Sequence, residues 1–502
     1  MDPDVVAGDE GLIRTAETPV APFVAVEIRV ASLGPATVVA GIVADDGDHV
    51  VATYSGQRHL VTIELRLGGR TVVLRQVDET LTEPFGFAFV LCENQVTALA
   101  DQGDGWRPLI TCRQPLARHL DLRRTEVLSR FAYAYGLRPA DEGMGATTPS
   151  LGPDAAKPPL RSRFRWRRRR RANHPAGPGG GKAQVSQVTA GPFGMAGVRD
   201  PHVVQLPDGT PYTRDGLLYL TLTCAGLGFF QQAHWGVFTF DPADPTRLEQ
   251  VAQLYFTRDG LVYGDHAGQI VADVERGEFV VVVSSWGDFS FNGVGVRHVV
   301  TSDDILSGVH VLPSAPLPMP TDVSSWDPAL TRIDDRWYVG FVESPTQGDP
   351  FDFHPALAVG QPGEDYDARL QLVGADSSLH QCEGPVLAKI EGTWYLLASD
   401  GDGRRYPVYD LDMRYVGDLD APYPTNIPHP QVITLDDDGS GRHLLVTFEG
   451  TAFGEPVLAY GSHGDFVVMQ ATAADVVRPQ AEVTTSKTAT LSMFQARPST
   501  QG

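Results

Sequence analysis

The chain has 502 residues, of which 42% are hydrophobic and 9% aromatic, more than one core usually organises and enough to build two. Its formal net charge of -22 disfavours nucleic acid or an anionic membrane as the main partner. No apolar stretch approaches the roughly 20 residues needed to cross a bilayer.

The N-terminus, MDPDVVAGDEGLIR, is acidic and lacks an apolar signal core. The expected location is therefore cytoplasmic, or secreted if a leader has been removed. Residues 8 to about 138 follow as short strands in succession: PFVAVEIRVA, ATVVAGIVADD, HVVATYS, HLVTIELRLGG, RTVVLRQV, FGFAFVLCENQVTALADQ and WRPLITCR. Many short strands with glycine or acidic turns and almost no helical periodicity predict a β-sandwich, assigned to residues 1–138. The pattern resembles the concanavalin-like or laminin-G-like jelly-roll modules that accompany many glycoside hydrolases. Such a module either binds sugar or buttresses its neighbour. The closing stretch LDLRRTEVLSRFAYAYGLR reads as a final strand or a short helix.

Residues 139–186 are rich in Pro, Gly and small residues and pack eight arginines into RSRFRWRRRRR at 161 to 171. That composition builds no core and predicts a linker. Arginines interleaved with Phe164 and Trp166 invite an anionic-polymer reading, which the acidic body and the lack of a nucleic-acid motif weigh against. Four cysteines, Cys92, Cys112, Cys224 and Cys382, are too dispersed for a disulfide framework or a zinc site. Buried free thiols are expected, with a Cys92–Cys112 bridge as the alternative.

From residue 187 to 480 five similar units begin near residues 198, 264, 325, 381 and 427, leaving a tail at 481–502. Each has an alternating apolar run, a turn with Asp or Gly, and a second run, which is a hairpin signature. A repeat of about 45 to 65 residues predicts a five-bladed β-propeller, because radial repetition leaves few exposed sheet edges. The fold class is thus all-β, a propeller preceded by a sandwich.

Three units open on an acidic segment: Arg199-Asp200-Pro201-His202, Trp326-Asp327-Pro328 and Cys382-Glu383-Gly384-Pro385. Asp200, Asp327 and Glu383 are therefore expected at equivalent points of their units, converging on one pocket. Carboxyl groups so placed suit glycoside hydrolysis, in which one protonates the leaving oxygen and another activates water or attacks the sugar carbon. Glu383 sits in an apolar, tight setting that suits a carboxyl holding its proton, with Asp327 as a neighbouring charge; Arg199 beside Asp200 favours ionisation.

Over residues about 190 to 475 this pattern resembles glycoside hydrolase family 43 and its wider propeller clan. The resemblance implies an inverting enzyme on furanosides, especially α-L-arabinofuranosides, or β-D-xylosides, with Asp200 as general base, Asp327 as the group that raises and orients the acid, and Glu383 as general acid. It implies an oligosaccharide or polysaccharide substrate, no required cofactor, and His429 at the propeller axis near a structural calcium ion or waters. Fructofuranosides are the rival chemistry. Related fructan-cleaving families make the first Asp a nucleophile, although their acid motif is Glu-Cys rather than Cys-Glu. D-arabinan and galactofuranosyl glycans, and a sugar-binding propeller without turnover, also stay open. Substrate contacts are expected from Arg199, His266, Trp286, Trp326 and His429. Trp235, Phe289 and Phe291 are expected near the inner blade ends, and Arg297 and His298 are candidate hydroxyl partners. Oligomeric state, sugar identity and the purpose of the arginine tract are not encoded in any recognisable pattern.

Overall fold

A computed structural model describes residues 5–7, 11–140, 183–289, 293–347, 350–424, 426–435, 443–451, 463–471 and 482–485. The arginine tract at 161–171 and Phe291 lie outside the described residues. The fold is an all-β propeller preceded by a β-sandwich.

In the sandwich, a seven-stranded sheet runs in the order Val5–Ala7, Leu12–Thr15, Phe131–Arg138, Thr37–Ala44, His49–Ser55, Leu60–Leu67 and Arg70–Asp78. It faces a five-stranded sheet of Trp106–Cys112, Gln95–Asp101, Phe85–Cys92, Phe23–Ser32 and Gln184–Pro192. Val26, Ile28, Ile42, Ile63, Phe87 and Phe89 fill the space between them. The expected boundary at residue 187 cuts through the last of these strands. Gln184–Pro192 pairs antiparallel with Phe23–Ser32, Val188 opposite Ile28, so it closes the sandwich before the chain enters the propeller. The stretch left open between strand and helix contains both, a single turn at Thr125–Leu128 and then Phe131–Arg138.

Phe85–Cys92 is buried at every position, because its sheet is covered on both faces. One face meets the sandwich core. The other carries Phe23, Ala25, Ala88, Val90 and Cys92 against Phe193, Leu227, Tyr255 and Val262 of the propeller. Each fully buried large apolar side chain there contributes on the order of 1.5–3 kcal/mol, which is the energetic basis for buttressing. Gln232 Nε2 also donates to Glu93 Oε2 at 3.0 Å across the join.

The propeller's blades are three four-stranded sheets and one eleven-stranded sheet that runs through blades one and five. Their innermost strands are Val198–Val203, His266–Asp273, Ser324–Ile333, Cys382–Ile390 and Gln431–Thr434, and each packs on the next, the fifth returning to the first. Blades one and five are also joined at Val198 opposite Gly464. Between blades the contacts are apolar, as where Trp235 and Phe256 of blade one meet Ile270 and Val281 of blade two.

At the hub, buried glutamines tie the blades together. Val203 N donates to Gln431 Oε1 at 3.0 Å and Leu330 N to Gln269 Oε1 at 2.6 Å. Gln205 Nε2 donates to Leu330 O at 3.0 Å and to Thr331 Oγ1 at 2.8 Å. Breaking one such bond leaves a buried backbone or amide group unpaired, at about 1–3 kcal/mol.

Candidate active site

The first four inner strands share one local distortion. Ladder pairing slips at Arg199/His202, His266/Gly268, Trp326/Ala329 and Glu383/Val386. Inside each slip one residue has positive φ: Asp200 at 53°, Ala267 at 56°, Asp327 at 50° and Gly384 at 65°. In blades one, three and four the next residue is proline, which has no N–H to lose where the ladder is already broken. Aspartate tolerates the left-handed region better than most residues, and glycine tolerates it best.

This repeat corrects one expectation. Aligned on the prolines, Glu383 is equivalent to Arg199 and Trp326, and the counterpart of Asp200 and Asp327 is Gly384. Glu383 thus reaches the hub from one position earlier on its strand. The glycine is required twice over, since a Cβ there would also lie 2.4 Å from Cγ and Cδ2 of His429.

The three carboxyl groups nevertheless meet. His429 Nε2 lies 3.4 Å from Asp200 Oδ1, 3.6 Å from Asp327 Oδ2 and 3.8 Å from Glu383 Oε1. Among the described residues neither imidazole nitrogen meets hydrogen-bond geometry, and the contacts are ion pairs when the ring is protonated. Arg199 spans two of the carboxylates: Nε is 2.7 and 2.9 Å from the oxygens of Asp200, and Nη2 is 3.0 Å from Glu383 Oε1. Asp327 is fixed by Gly384 N, which donates to Oδ2 at 3.2 Å, while Asp327 N donates to Ser284 Oγ of blade two at 2.9 Å.

Charged neighbours separate the equally buried groups electrostatically. For Asp200 burial raises the pKa, but the charges of Arg199 and His429 and the Arg199 hydrogen bonds more than offset it and hold the carboxyl below its ordinary value. For Asp327 burial dominates, assisted by the negative charges of Glu383 and Asp200, and pushes the pKa up to about 8. Asp327 is thus a carboxyl whose charged form burial and its acidic neighbours disfavour. Burial opposes the charge on His429, yet Asp200 and Asp327 raise it above the ordinary imidazole range. His202, two residues past Asp200, is pushed down to about 3 by burial and by His429. A set of titratable groups driven apart in this way marks candidate acid–base sites.

Glu383 and Arg199 retain 13% side-chain exposure, against 3% for Asp200 and 4% for Asp327, so the hub is approached from the Glu383 side. Beside it stands an aromatic wall of Trp286, Phe289, Trp326 and Phe353, with partly open Phe229, Phe230 and Phe351. Trp286 and Trp326 lie 5.3 Å apart, and His266 stacks on Trp286 while its Nδ1 contacts Gly264 O at 2.9 Å. His266 thus supports the wall and touches none of the carboxylates.

Trp235 is fully buried between blades one and two, away from the wall. Arg297 is bonded to Ser314 and His298 to Tyr366, both on the third strand of blade two rather than at the hub. All four cysteines are buried and free, so Cys92 and Cys112 are not bridged.

Calcium takes six to eight oxygen ligands. At the hub the oxygens already face Arg199 and the His429 ring, and among the described residues no three His, Cys, Asp or Glu side chains are arranged to hold a metal ion. The cluster does not fit the calcium expected beside His429.

Two hollows lie among the described residues of the propeller. One of about 500 Å3 lies between blades two and three, lined by Ser285, Asp288, Asp322 and Ser324 among others. The other, about 300 Å3, lies between blades four and five and includes Gln381, Arg404 and Tyr423.

No protein-family profile matches the chain, and no curated protein sequence matches it. Similar solved structures include Bacillus subtilis levansucrase, 10% identical over 60% of this chain and 88% of that one, with a TM-score of 0.41. An inulosucrase from Halalkalicoccus jeotgali is 13% identical over 60% of this chain and 91% of that one, TM-score 0.40. The catalytic domain of a Coprinopsis cinerea GH62 α-L-arabinofuranosidase is 13% identical over 56% and 92%, TM-score 0.36.

Proposed function

We propose that this protein is a glycoside hydrolase that cleaves a furanoside or xyloside bond at the propeller hub. The observation that carries the reading is the convergence of Asp200, Asp327 and Glu383 on one histidine, with the proton affinities of Asp200 and Asp327 shifted in opposite directions. Asp200, held ionised by Arg199, is the base or nucleophile. Glu383, the most accessible of the three, is the proton donor to the leaving oxygen. Asp327, whose pKa burial and the neighbouring carboxylates raise, orients the acid and modulates its proton affinity.

In the free protein Glu383 accepts a hydrogen bond from Arg199 and is not poised to donate. Sugar hydroxyls entering beside Arg199 draw the guanidinium off Glu383 and allow it to carry the proton. Within the aromatic cluster Trp286, Phe289, Trp326 and Phe353 are buried, so ring surface for a sugar comes from the partly open Phe229, Phe230 and Phe351. The preference for arabinofuranosides or xylosides rests on the motif resemblance alone.

One observation favours a second, retaining mechanism with Asp200 as nucleophile, as in a fructofuranosidase or fructosyltransferase. Asp200 Oδ1 and Glu383 Oε1 lie 3.4 and 3.8 Å from the same nitrogen, so they are at most about 7 Å apart. That admits the ~5–5.5 Å of retaining enzymes and only the lower edge of the ~6.5–9.5 Å of inverting ones.

A panel of nitrophenyl glycosides tests the activity, and proton NMR of the first-formed anomer tests the stereochemistry. Turnover abolished by Asp200→Asn supports the assignment. A silent panel, together with calorimetric sugar binding that Asp200→Asn retains, identifies a sugar-binding propeller instead.

A further inference from the structure

We infer that Glu93, at the tip of a sandwich hairpin, is a positioning residue for sugar recognition, setting through Gln232 the propeller turn that presents Phe229 and Phe230; this rests on the proposed glycoside cleavage. Glu93 and Asn94 are the two central residues of the hairpin that joins Phe85–Cys92 to Gln95–Asp101. A two-residue hairpin turn needs positive φ at its first position, where glycine or asparagine is usual, and Glu93 stands there at 61°. Its side chain is 2% exposed and paired with Arg113 Nε at 3.3 Å and Arg123 Nη1 at 3.0 Å. A buried carboxylate on a strained backbone is a costly way to build a turn, and such strain gathers where it serves a site.

Across the domain join the carboxylate meets Gln232, which is 1% exposed. Gln232 Nε2 donates to Glu93 Oε2 at 3.0 Å, while Oε1 of the same amide accepts from Phe229 N at 2.8 Å. Gln232 N donates to Phe229 O at 2.9 Å. One side chain thus joins the sandwich carboxylate to the backbone of the aromatic turn. Gln95 Nε2, from the same hairpin, donates to Leu227 O. The approach leaves no slack, since a Cβ on Gly226 would lie 1.7 Å from Gln232 O and 3.2 Å from Sγ of Cys92 in the sandwich.

The turn so held carries two of the three partly open rings of the aromatic cluster. Phe229 and Phe230 stack at 4.2 Å, Phe230 meets Trp286 at 5.0 Å, and Trp286 meets Trp326, the neighbour of Asp327, at 5.3 Å. Gln231 Nε2 donates to Phe289 O, which ties this turn to that of Trp286. Contacts therefore run without a break from Glu93 to a strand that bears a hub carboxylate. A shift of the turn moves ring surface against the sugar and leaves the carboxylates in place, so it weakens binding rather than the chemical step.

Glu93→Gly removes the carboxylate at a φ that glycine accepts freely, and Glu93→Gln keeps an oxygen for Gln232. On whichever nitrophenyl arabinofuranoside or xyloside the wild type cleaves, Glu93→Gly is expected to raise KM at least fivefold with kcat within twofold. Glu93→Gln is expected to stay within twofold in both. An unchanged KM in Glu93→Gly, an equal rise in Glu93→Gln, or a loss confined to kcat overturns the inference, because a role in stability alone lowers the amount of active protein and leaves KM as it was. If Glu93→Gly does not fold, Gln95→Ala, which cuts the tether to Leu227 alone, is read the same way with a threefold rise. If wild type cleaves none of these glycosides, the cleavage reading fails and calorimetry with arabinobiose and xylobiose decides. Binding weakened fivefold in Glu93→Gly and restored in Glu93→Gln upholds the positioning role; absent binding, or binding that Glu93→Gly keeps, overturns it.

Discussion

Replacing Arg199 by methionine isolates what the guanidinium does at the hub. It holds Asp200 through contacts of 2.7 and 2.9 Å and Glu383 through one of 3.0 Å, and all three side chains are largely or fully buried. Taking away one partner of a buried ion pair costs about 3–5 kcal/mol, because the remaining charge is left uncompensated. Asp200 then keeps His429, at 3.4 Å, as its cationic neighbour. The sign follows from the depressed pKa of Asp200. Stability from a depressed carboxyl is present above its unfolded value and is lost as pH falls through the folded one, so the gap between wild type and variant is full at pH 7 and narrows as pH falls through the carboxylate range. Thermal melting at pH 7 is expected to drop by about 3–5 °C, taking about 1 °C per kcal/mol for a chain of 502 residues, with a smaller drop at pH 4. The acid limb of the kcat/KM profile moves to higher pH as Asp200 becomes easier to protonate. A drop under 2 °C at pH 7, or equal drops at both pH values, refutes the idea that Arg199 compensates buried charge.

Asp327→Asn removes a carboxyl whose pKa burial pushes up to about 8. A raised pKa gives stability that is full below the unfolded value near 4 and lost as pH rises through 8, on the order of 5 kcal/mol at most. Wild type should therefore melt progressively lower from pH 5 to pH 9, and the variant should lose much of that slope in parallel melting curves. Gly384→Ala forces a Cβ to within 2.4 Å of the His429 ring at a φ of 65°, and should cost at least about 2 kcal/mol in urea unfolding. The four cysteines are buried, and burial raises the Cys92 thiol to about 12, so a thiol reagent should label none of them until denaturant is added.

The repeat was legible in the sequence because each blade states it in full: an alternating run, a turn and an aromatic second run. The order of the acidic blades was legible for the same reason. The offset of Glu383 was also present, since aligning Arg199-Asp200-Pro201 with Trp326-Asp327-Pro328 and Glu383-Gly384-Pro385 on proline shows it, but aligning on the acids hides it. Other features depend on contacts between distant residues. Gln184–Pro192 has the composition of a linker's end and becomes a strand only because Phe23–Ser32 offers an edge. Arg199 could be seen beside Asp200, whereas its hold on Glu383, 184 positions away, needed the ring to close. The proton affinities were read from neighbours in sequence, whereas in space Asp200 and Asp327 are equally buried and differ because Arg199 pairs with Asp200. Similarly, Trp235 was indistinguishable by pattern from Trp286 and Trp326, and only the packing sends it between blades.

The most direct measurement compares wild type with Glu383→Gln on aryl α-L-arabinofuranosides and β-D-xylosides of graded leaving-group acidity. A proton donor matters little to a leaving group that departs unaided, so the variant should hydrolyse the dinitrophenyl glycoside within about tenfold of wild type and lose about 10²–10⁴-fold on the phenyl glycoside. A loss that is the same across the series, or no loss at all, contradicts Glu383 as the acid and with it the assignment of sugar-bond cleavage to the hub.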